Sequence, residues 1–182
     1  MKEIKIHGRG GQGAAVAARI LTTALVYEGK WASGFPVFGV ERRGAPLTAF
    51  VRLDDKPIRE KTKIYSADSL IVIDPYLFHS SDVFKGIRED CILVVNSPVS
   101  LTEQYHKNLR VIGSVDATGI AVQEIGRSIT NTCMLGAFAR STGWVQLDSL
   151  LSALEEYFQG DILERNIKSV ARGFKETSIA EF

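Results

Sequence analysis

The opening residues combine two hydrophobic periodicities. Ile4 to His7 has the pattern of a short buried strand, whereas residues 14–28 carry apolar side chains at helical spacing. The helical stripe consists of Ala17, Ile20, Leu21, Ala24 and Leu25. Because a glycine-rich segment separates the two patterns, the chain is predicted to begin with a strand, a tight turn and a helix.

The following segment predicts antiparallel structure. Lys30 to Ser33 is expected to form a second strand, and Gly34 to Pro46, which has no hydrophobic period, is expected to form a loop. Thr48 to Leu53 alternates like a strand and Asp54 to Pro57 has turn chemistry. Ile58 to Glu60 is therefore expected to return as the second strand of a hairpin.

Three later apolar runs, Leu70 to Asp74, Ile92 to Val95 and Val111 to Ile112, indicate a parallel sheet with crossover helices between its strands. The predicted fold class is α/β, a three-layer α/β/α arrangement with a mostly parallel sheet and an antiparallel hairpin. No repeat, low-complexity tract or linker divides the sequence. One domain over residues 1–182 is expected.

Three helices are predicted in the last third of the chain. Asn131 to Gly143 contains small residues that allow close approach of another element, either in the core or on a neighbouring subunit, and the core is favoured. Asp148 is expected to cap the next helix, which Gly160 ends, and Asp161 to cap the last one.

The composition narrows the possible functions. The chain has 182 residues, 45% of them hydrophobic, and its 22 basic and 21 acidic residues give a net charge of +1, which offers no drive toward nucleic acid or an anionic membrane. Two cysteines cannot by themselves hold an iron–sulfur cluster or complete a zinc site. No signal-peptide or membrane-span pattern is seen, so a cytoplasmic protein is expected.

The glycine turn, Gly8 to Gly13, lies between the first predicted strand and helix and satisfies the G-x-G-x-x-G spacing. Free amide groups and the helix dipole at such a turn favour an anion such as phosphate. A dinucleotide site also needs an acid at the end of the second strand, and that strand ends in Ser33 and Gly34, while Glu41 lies inside the loop. Ligand contact and simple tight strand-to-helix packing both remain open.

The loop over residues 34–46 is the second candidate site. It contains Phe35, Phe38, Glu41, Arg42 and Arg43. Its two arginines offer donors suited to a carboxylate or a phosphate, and its aromatic residues argue against disorder. The alternative is a solvated ion pair with Glu41 as neighbour.

Other polar residues give weaker signals. His7, His79 and His106 show no ligand spacing, and no serine, cysteine or carboxylate has a convincing base beside it, so no catalytic residue is predicted. Asp74 is expected at the strand ends where open α/β sheets bind ligands, although Asp-Pro also suits a turn. Asp116 is expected to cap a helix.

Five segments, in the same order along the chain, resemble the gamma chains of pyruvate and related 2-oxoacid:ferredoxin oxidoreductases. They are GRGGQG at 8–13, EGKWASGFPVFGVERRGAP at 28–46, LDDKPIR at 53–59, VDAT at 115–118 and NTCMLGAFARSTG at 131–143. The loop sequence FPVFGVERRGAP is closer to the pyruvate and branched-chain (2-ketoisovalerate) types than to the 2-oxoglutarate type.

The resemblance implies a subunit without its own redox centre. Alpha, beta and ferredoxin-like delta subunits would hold thiamine diphosphate, magnesium and iron–sulfur clusters, and the complex would convert a 2-oxoacid and coenzyme A to acyl-CoA, CO2 and reduced ferredoxin. By analogy with the fused enzymes, this chain would lie near the coenzyme A channel. The expected coenzyme A contacts are Gly8, Arg9, Gly10, Gly11, Gln12, Gly13, Arg42 and Arg43, and the expected partner interface is Phe35, Phe38, Glu41 and Asn131.

Two other functions compete with this interpretation. One is a free-standing NAD(P)-dependent oxidoreductase in which Arg42 or Arg43 binds a 2′-phosphate in place of the missing acid. The other is a purely structural interaction subunit that never meets coenzyme A.

Overall fold

The computed structural model describes residues 1–36, 44–80 and 82–182. Within these ranges the chain forms seven strands and six helices. The strands are β1 (Lys2–Arg9), β2 (Trp31–Pro36), β3 (Pro46–Asp54), β4 (Ala67–Val72), β5 (Ile87–Asn96), β6 (Leu109–Val115) and β7 (Ser178–Glu181). The helices are α1 (Ala14–Tyr27), α2 (Pro75–Phe78), α3 (Ala117–Ile125), α4 (Asn131–Thr142), α5 (Leu147–Leu154) and α6 (Gly160–Glu176).

All seven strands belong to one sheet in the order β2-β3-β1-β4-β5-β6-β7. β1, β4, β5 and β6 are parallel to one another, whereas β3 is antiparallel to both β1 and β2, and β7 is antiparallel to β6. The predicted α/β class with a mostly parallel sheet is confirmed. The parallel strands end along one side of the sheet, which we call the carboxyl edge, and the opposite side is the amino edge.

The predicted hairpin partner is wrong. Ile58 to Glu60 forms no strand, and β3 pairs instead with β1, where Ile4 faces Val51, and with β2, where Ala32 faces Leu53. Because β1 and β2 occupy both sides of β3, no side is left for a returning strand. The antiparallel hairpin is formed by β2 and β3.

The predicted loop also begins too early, since Gly34 to Pro36 belong to β2. A glycine is required in this strand because a Cβ atom at Gly34 would lie 2.3 Å from the Thr22 hydroxyl of α1. The loop prediction took that glycine as a loop signal, whereas it marks the close approach of a helix.

The two faces of the sheet are covered differently. On one face, α1, α3, α4, α5 and α6 pack over strand residues such as Ile4, Ile71 and Val94. On the other, α2 and irregular segments cover Leu70, Leu93 and their neighbours. The prediction of a crossover helix is wrong between β5 and β6, because residues 97–108 form no helix. Between β4 and β5 the crossover contains only the four-residue α2.

Helix α4 is a core helix, as the sequence favoured, because Cys133, Met134 and Phe138 are completely buried. Its small residues serve a contact within the chain. A Cβ atom at Gly136 would lie 2.0 Å from the carbonyl oxygen of Val170, so α4 and α6 cross with their backbones almost touching.

Two of the three predicted caps are wrong. Gln146 and Gln159 occupy the N-cap positions of α5 and α6, so Asp148 and Asp161 lie inside the first turns, where a carboxylate still interacts favourably with the helix dipole. α5 also ends at Leu154 rather than at Gly160. The Asp116 cap is confirmed, since its Oδ1 accepts a 2.8 Å hydrogen bond from the amide of Gly119.

Candidate functional site

The glycine turn is held closed by its own residues. The amide of Arg9 donates to Oε1 of Gln12 at 2.7 Å, and the amide of Gln12 donates to the carbonyl of Arg9 at 3.0 Å. Two hydrogen bonds join the turn to the residues just before β3. The amide of Gly10 donates to the carbonyl of Ala45 (2.9 Å), and the amide of Gly44 donates to the carbonyl of Gly10 (3.2 Å). The turn is therefore a fixed shape rather than a flexible flap.

Asp74 organises the side chains of this turn. One of its oxygens, Oδ2, accepts from Nε of Arg9 at 3.0 Å and from Nε2 of Gln12 at 2.7 Å, while Oδ1 accepts from the amide of Tyr76 at 2.9 Å and so caps α2. Asp74 is 3% exposed. Asp74 lies at the carboxyl edge, as expected, but it caps a helix instead of forming the expected turn, and ligand binding there stays a prediction. Its bond to Nε holds the Arg9 side chain in place.

Two helix N-termini meet at Gly13. Gly13 is the N-cap of α1, with φ of 79°, and Asn131 is the first residue of α4. The side-chain amide of Asn131 donates to the carbonyl of Gly13 at 3.2 Å, and a Cβ atom at Gly13 would lie 2.5 Å from it. We call this contact between the starts of α1 and α4 the helix junction.

The helix junction favours negative charge. Neither helix has an acidic residue in its first turn, and neither N-cap side chain caps its helix. No carboxylate of either helix balances the positive ends of the two dipoles, and the nearby carboxylate of Asp74 is already bonded to Arg9 and Gln12. Such an environment favours phosphate and similar anions. Sequence reasoning found the glycine turn but missed α4 as its second wall, because Gly13 and Asn131 are 118 residues apart.

Asn131 adds an unsatisfied acceptor to the junction. Its side chain is 4% exposed, and its Oδ1 finds no hydrogen-bond partner within the described ranges. A buried amide oxygen without a partner costs about 1–3 kcal/mol. The structure thus places this expected interface residue inside the helix junction, and its role at a partner interface stays a prediction.

Of the expected loop residues, Phe35 lies in β2. Its ring is 5.7 Å from that of Phe50, and the guanidinium of Arg52 lies 5.8 Å from it. Phe38, Glu41, Arg42 and Arg43 fall outside the described residues, so the structure does not locate the two arginines relative to the glycine turn.

The sheet order differs from that of a dinucleotide-binding domain. In that fold β2 lies directly beside β1, so that an acid at the end of β2 reaches the ribose. Here β3 separates the two strands. This arrangement moves the end of β2 one strand further from the glycine turn, which weakens the NAD(P) alternative.

The two cysteines and His7 are poor nucleophiles or acids. Burial raises the pKa values of Cys91 and Cys133 to about 12, so both are protonated thiols at neutral pH. Burial, and then the charge of Lys5, lowers the pKa of His7 to about 4. Among residues 1–36, 44–80 and 82–182, no group of three or more His, Cys, Asp or Glu side chains is placed to hold a metal ion, and no helix is long and apolar enough to cross a membrane.

Comparison with known proteins identifies the family. The family model described as pyruvate ferredoxin/flavodoxin oxidoreductase matches residues 3–176. The common subunit gamma of the pyruvate/ketoisovalerate oxidoreductases of Pyrococcus abyssi is 47% identical over the full length of both chains.

Solved structures agree with this relationship. The crystal structure of the pyruvate oxidoreductase subunit PORC of Thermotoga maritima matches with a TM-score of 0.83 and 37% identity, covering 98% of this chain and 97% of that one. The 2-oxoglutarate:ferredoxin oxidoreductase of Magnetococcus marinus shares the fold, with a TM-score of 0.76 at 16% identity, over 94% of this chain and 30% of that one. Since the Pyrococcus abyssi relative that matches the whole chain is a common subunit gamma, this chain belongs to the pyruvate ferredoxin/flavodoxin oxidoreductase family and resembles its gamma subunits.

Proposed function

We propose that this chain, as a single domain over residues 1–182, is the coenzyme A-proximal gamma subunit of a pyruvate- or 2-ketoisovalerate-type 2-oxoacid:ferredoxin oxidoreductase. The complex converts a 2-oxoacid and coenzyme A to acyl-CoA, CO2 and reduced ferredoxin. Alpha, beta and delta subunits carry the thiamine diphosphate, magnesium and iron–sulfur clusters, and this chain has no redox centre. The observation that carries the proposal is the helix junction, an anion-binding environment at the carboxyl edge of the sheet.

The helix junction fits the phosphate groups of coenzyme A. The first-turn amides of a helix have no acceptor within the helix, and Gly11 has open space where a side chain would project. The Magnetococcus marinus enzyme was solved with coenzyme A and succinyl-CoA bound. In this proposal Gly8 to Gly13 line the phosphates, and Arg42 and Arg43 supply additional positive charge.

The polar network around the turn has a positioning role. Asp74 holds Arg9 and Gln12, and Gln12 in turn holds the backbone of Arg9, so the amides of the turn are fixed before a ligand arrives. Preorganised donors bind an anion without the entropy cost of ordering them. When bound, coenzyme A supplies the thiol that accepts the acyl group, and this chain orients its phosphate end.

An acid placed in the first turn of α1 tests the proposal. Ala15 is partly exposed in that turn, and Ala15→Asp in the reconstituted complex should raise the KM for coenzyme A by about tenfold, equivalent to about 1.4 kcal/mol. The same carboxylate should not destabilise the chain, because an acid near a helix start is favourable. The control is Ala15→Asn, which has a similar shape and no charge.

The alternatives predict different results. If the chain is a purely structural subunit, Ala15→Asp leaves the KM for coenzyme A equal to that of Ala15→Asn. If it is a free-standing oxidoreductase, the isolated chain binds NADPH in a nucleotide titration and reduces or oxidises it without partners. Either result would overturn the proposal.

A further inference from the structure

Helix α6 extends past the start of α4, the helix on which it packs. Contacts between the two helices advance by four residues on each, so the helices run in the same direction. The contacts are Thr132 with Asn166, Gly136 with Val170, and Arg140 with Phe174. Ile162 lies one turn before Asn166 and is therefore level with residue 128, which precedes α4. Ile162 is 59% exposed, whereas Asn166 is 4% exposed.

A groove lies in the space beside the first turn of α6, and we call it the α6 groove. Its volume is about 400 Å³. Three isoleucines line it, one each from α3, from the segment before α4 and from α6, namely Ile125, Ile129 and Ile162. Since Ile129 is 40% exposed and Ile162 is more exposed still, the groove presents aliphatic side chains to solvent in one place, as sites for another protein do.

The rim of the α6 groove is positively charged. Arg127 and Arg165 line it, and neither forms an ion pair within the described part of the chain. Asp161 also lines the groove, but it lies in the first turn of α6, where the helix dipole stabilises its charge. Residues 37–43 contain one acid and two arginines, and residue 81 is a serine, so these segments carry no surplus of negative charge. The rim is therefore complementary to a carboxylate.

The position of the α6 groove indicates what covers it. Ile129 is two residues before Asn131, which contacts Gly13 in the helix junction. In the proposed function, coenzyme A has its phosphate end at the helix junction and its thiol at the subunit that carries thiamine diphosphate. That subunit must therefore approach this part of the surface, and an apolar patch with a charged rim is the usual composition of such a contact.

We propose that the α6 groove docks the thiamine-bearing partner subunit. A segment of that subunit inserts an aliphatic or aromatic side chain between the three isoleucines and places a carboxylate between Arg127 and Arg165. The inserted side chain anchors the contact, and the charge pairs fix its orientation. This inference rests on the proposed function, because it needs the partner subunits of the oxidoreductase.

The test measures how tightly the full chain binds its partners. The alpha, beta and delta subunits are expressed without this chain, and the fluorescently labelled chain is titrated with them. Ile162→Glu places a charge where the apolar side chain inserts, and should raise the Kd at least about tenfold. The control is Val26→Glu, because Val26 is 52% exposed in the last turn of α1, away from the groove, and this variant should bind like the parent.

The two proposals fail in different ways. If the parent chain binds and Ile162→Glu binds as tightly as Val26→Glu, the docking site is overturned and the proposed function stands. If the parent chain does not bind the partner subunits at all, both are overturned.

The two arginines provide a second test that does not depend on Ile162. The double variant Arg127→Gln, Arg165→Gln should raise the Kd about tenfold at low salt and flatten its dependence on salt concentration. The double variant Arg127→Lys, Arg165→Lys keeps both charges and should retain most of that dependence. A glutamine double variant with the Kd and salt dependence of the parent would overturn the docking site, even if Ile162→Glu fails to fold.

A second copy of the chain is the other occupant to be tested. In analytical ultracentrifugation the full chain alone should be a monomer at the concentrations used in the titration. A dimer that Ile162→Glu dissociates would mean that a second copy fills the α6 groove, and would overturn the proposal.

Discussion

The two edges of the sheet balance their charges differently. At the amino edge, Glu3 accepts from Nε of Arg52 at 2.8 Å and from Nη2 of Arg88 at 2.6 Å, and Arg88 reaches Asp68 at 2.7 Å. At the carboxyl edge, two helix starts lack acids, and Oδ1 of Asn131 and Nε2 of His7 have no partner in the described chain. Opposite charges in contact stabilise the fold at the amino edge, although Nη1 of Arg52 has no partner among the described residues, whereas the uncompensated helix starts at the carboxyl edge favour an anion.

The largest expected effect comes from breaking the amino-edge network. Arg52 is 1% exposed, so Glu3→Gln leaves a buried guanidinium without its nearest counter-charge and should lower the free energy of unfolding by about 3–5 kcal/mol. Glu60→Gln is the matched control, because Glu60 is exposed and 3.9 Å from Arg52. Urea denaturation measures both. A similar loss in the two variants would show that the network is not the cause.

Gly13→Ala should have the next largest effect. Its positive φ and the Asn131 amide, 2.5 Å from an added Cβ atom, are expected to cost about 2–3 kcal/mol of stability and to open the helix junction. Gly29→Ala lies outside the glycine turn and has a similar φ with open space around the methyl group, so it isolates the backbone strain. If the junction binds coenzyme A, only Gly13→Ala should raise its KM strongly in the complex. Equal KM values in the two variants would argue against the junction.

Acidification is expected to weaken the carboxyl edge through His7. Its folded pKa of about 4 lies below the ordinary value of 6.5, so the unfolded chain binds more protons between these values and stability falls as the pH drops from 6.5 toward 4. After allowance for screening, the loss should be about 1–2 kcal/mol. His7→Gln should flatten this part of the stability profile, as measured by urea denaturation at several pH values. A profile identical to that of the parent would show that His7 does not titrate in this way.

Arg42→Ala and Arg43→Ala test the part of the loop that the structure does not describe. If their guanidinium groups bind the phosphates of coenzyme A, each variant should raise the KM for coenzyme A about tenfold, or about 1.4 kcal/mol, with little change in the KM for the 2-oxoacid. Arg59→Ala, at an exposed position outside the carboxyl edge, is the control. An unchanged KM for coenzyme A in both variants would remove this loop from the site.

Local patterns were sufficient for much of the fold. The strand, turn and helix at the start follow from Ile4 to His7, the glycine turn and the stripe from Ala17 to Leu25, and the parallel strands follow from apolar runs. The hairpin prediction failed because of strand pairing. Ile58 to Glu60 has strand-like chemistry, but whether a strand forms depends on a free neighbouring strand, and β1 and β2 already occupy both sides of β3.

The candidate site also combines local features, which the sequence predicts, with long-range contacts, which it does not. The glycine turn is a local motif, and Asp74 was identified because the ends of parallel strands share one edge. The bond from Arg9 to Asp74 spans 65 residues and the contact of Asn131 with Gly13 spans 118. No periodicity encodes such contacts. The sequence nevertheless contained one indication of an anion site, since the two predicted helices both lack acidic residues in their first turns.

The uneven covering of the sheet has a consequence for synthesis on the ribosome. Strands β1 to β6 emerge before α4, α5 and α6, which supply most of the cover for one face. A nascent chain that ends before Asn131 therefore exposes apolar strand residues such as Ile71 and Val94, which are fully buried in the finished fold. Exposed apolar strands are prone to aggregation, so a chaperone that shields them until the last fifty or so residues appear should raise the yield of folded chain.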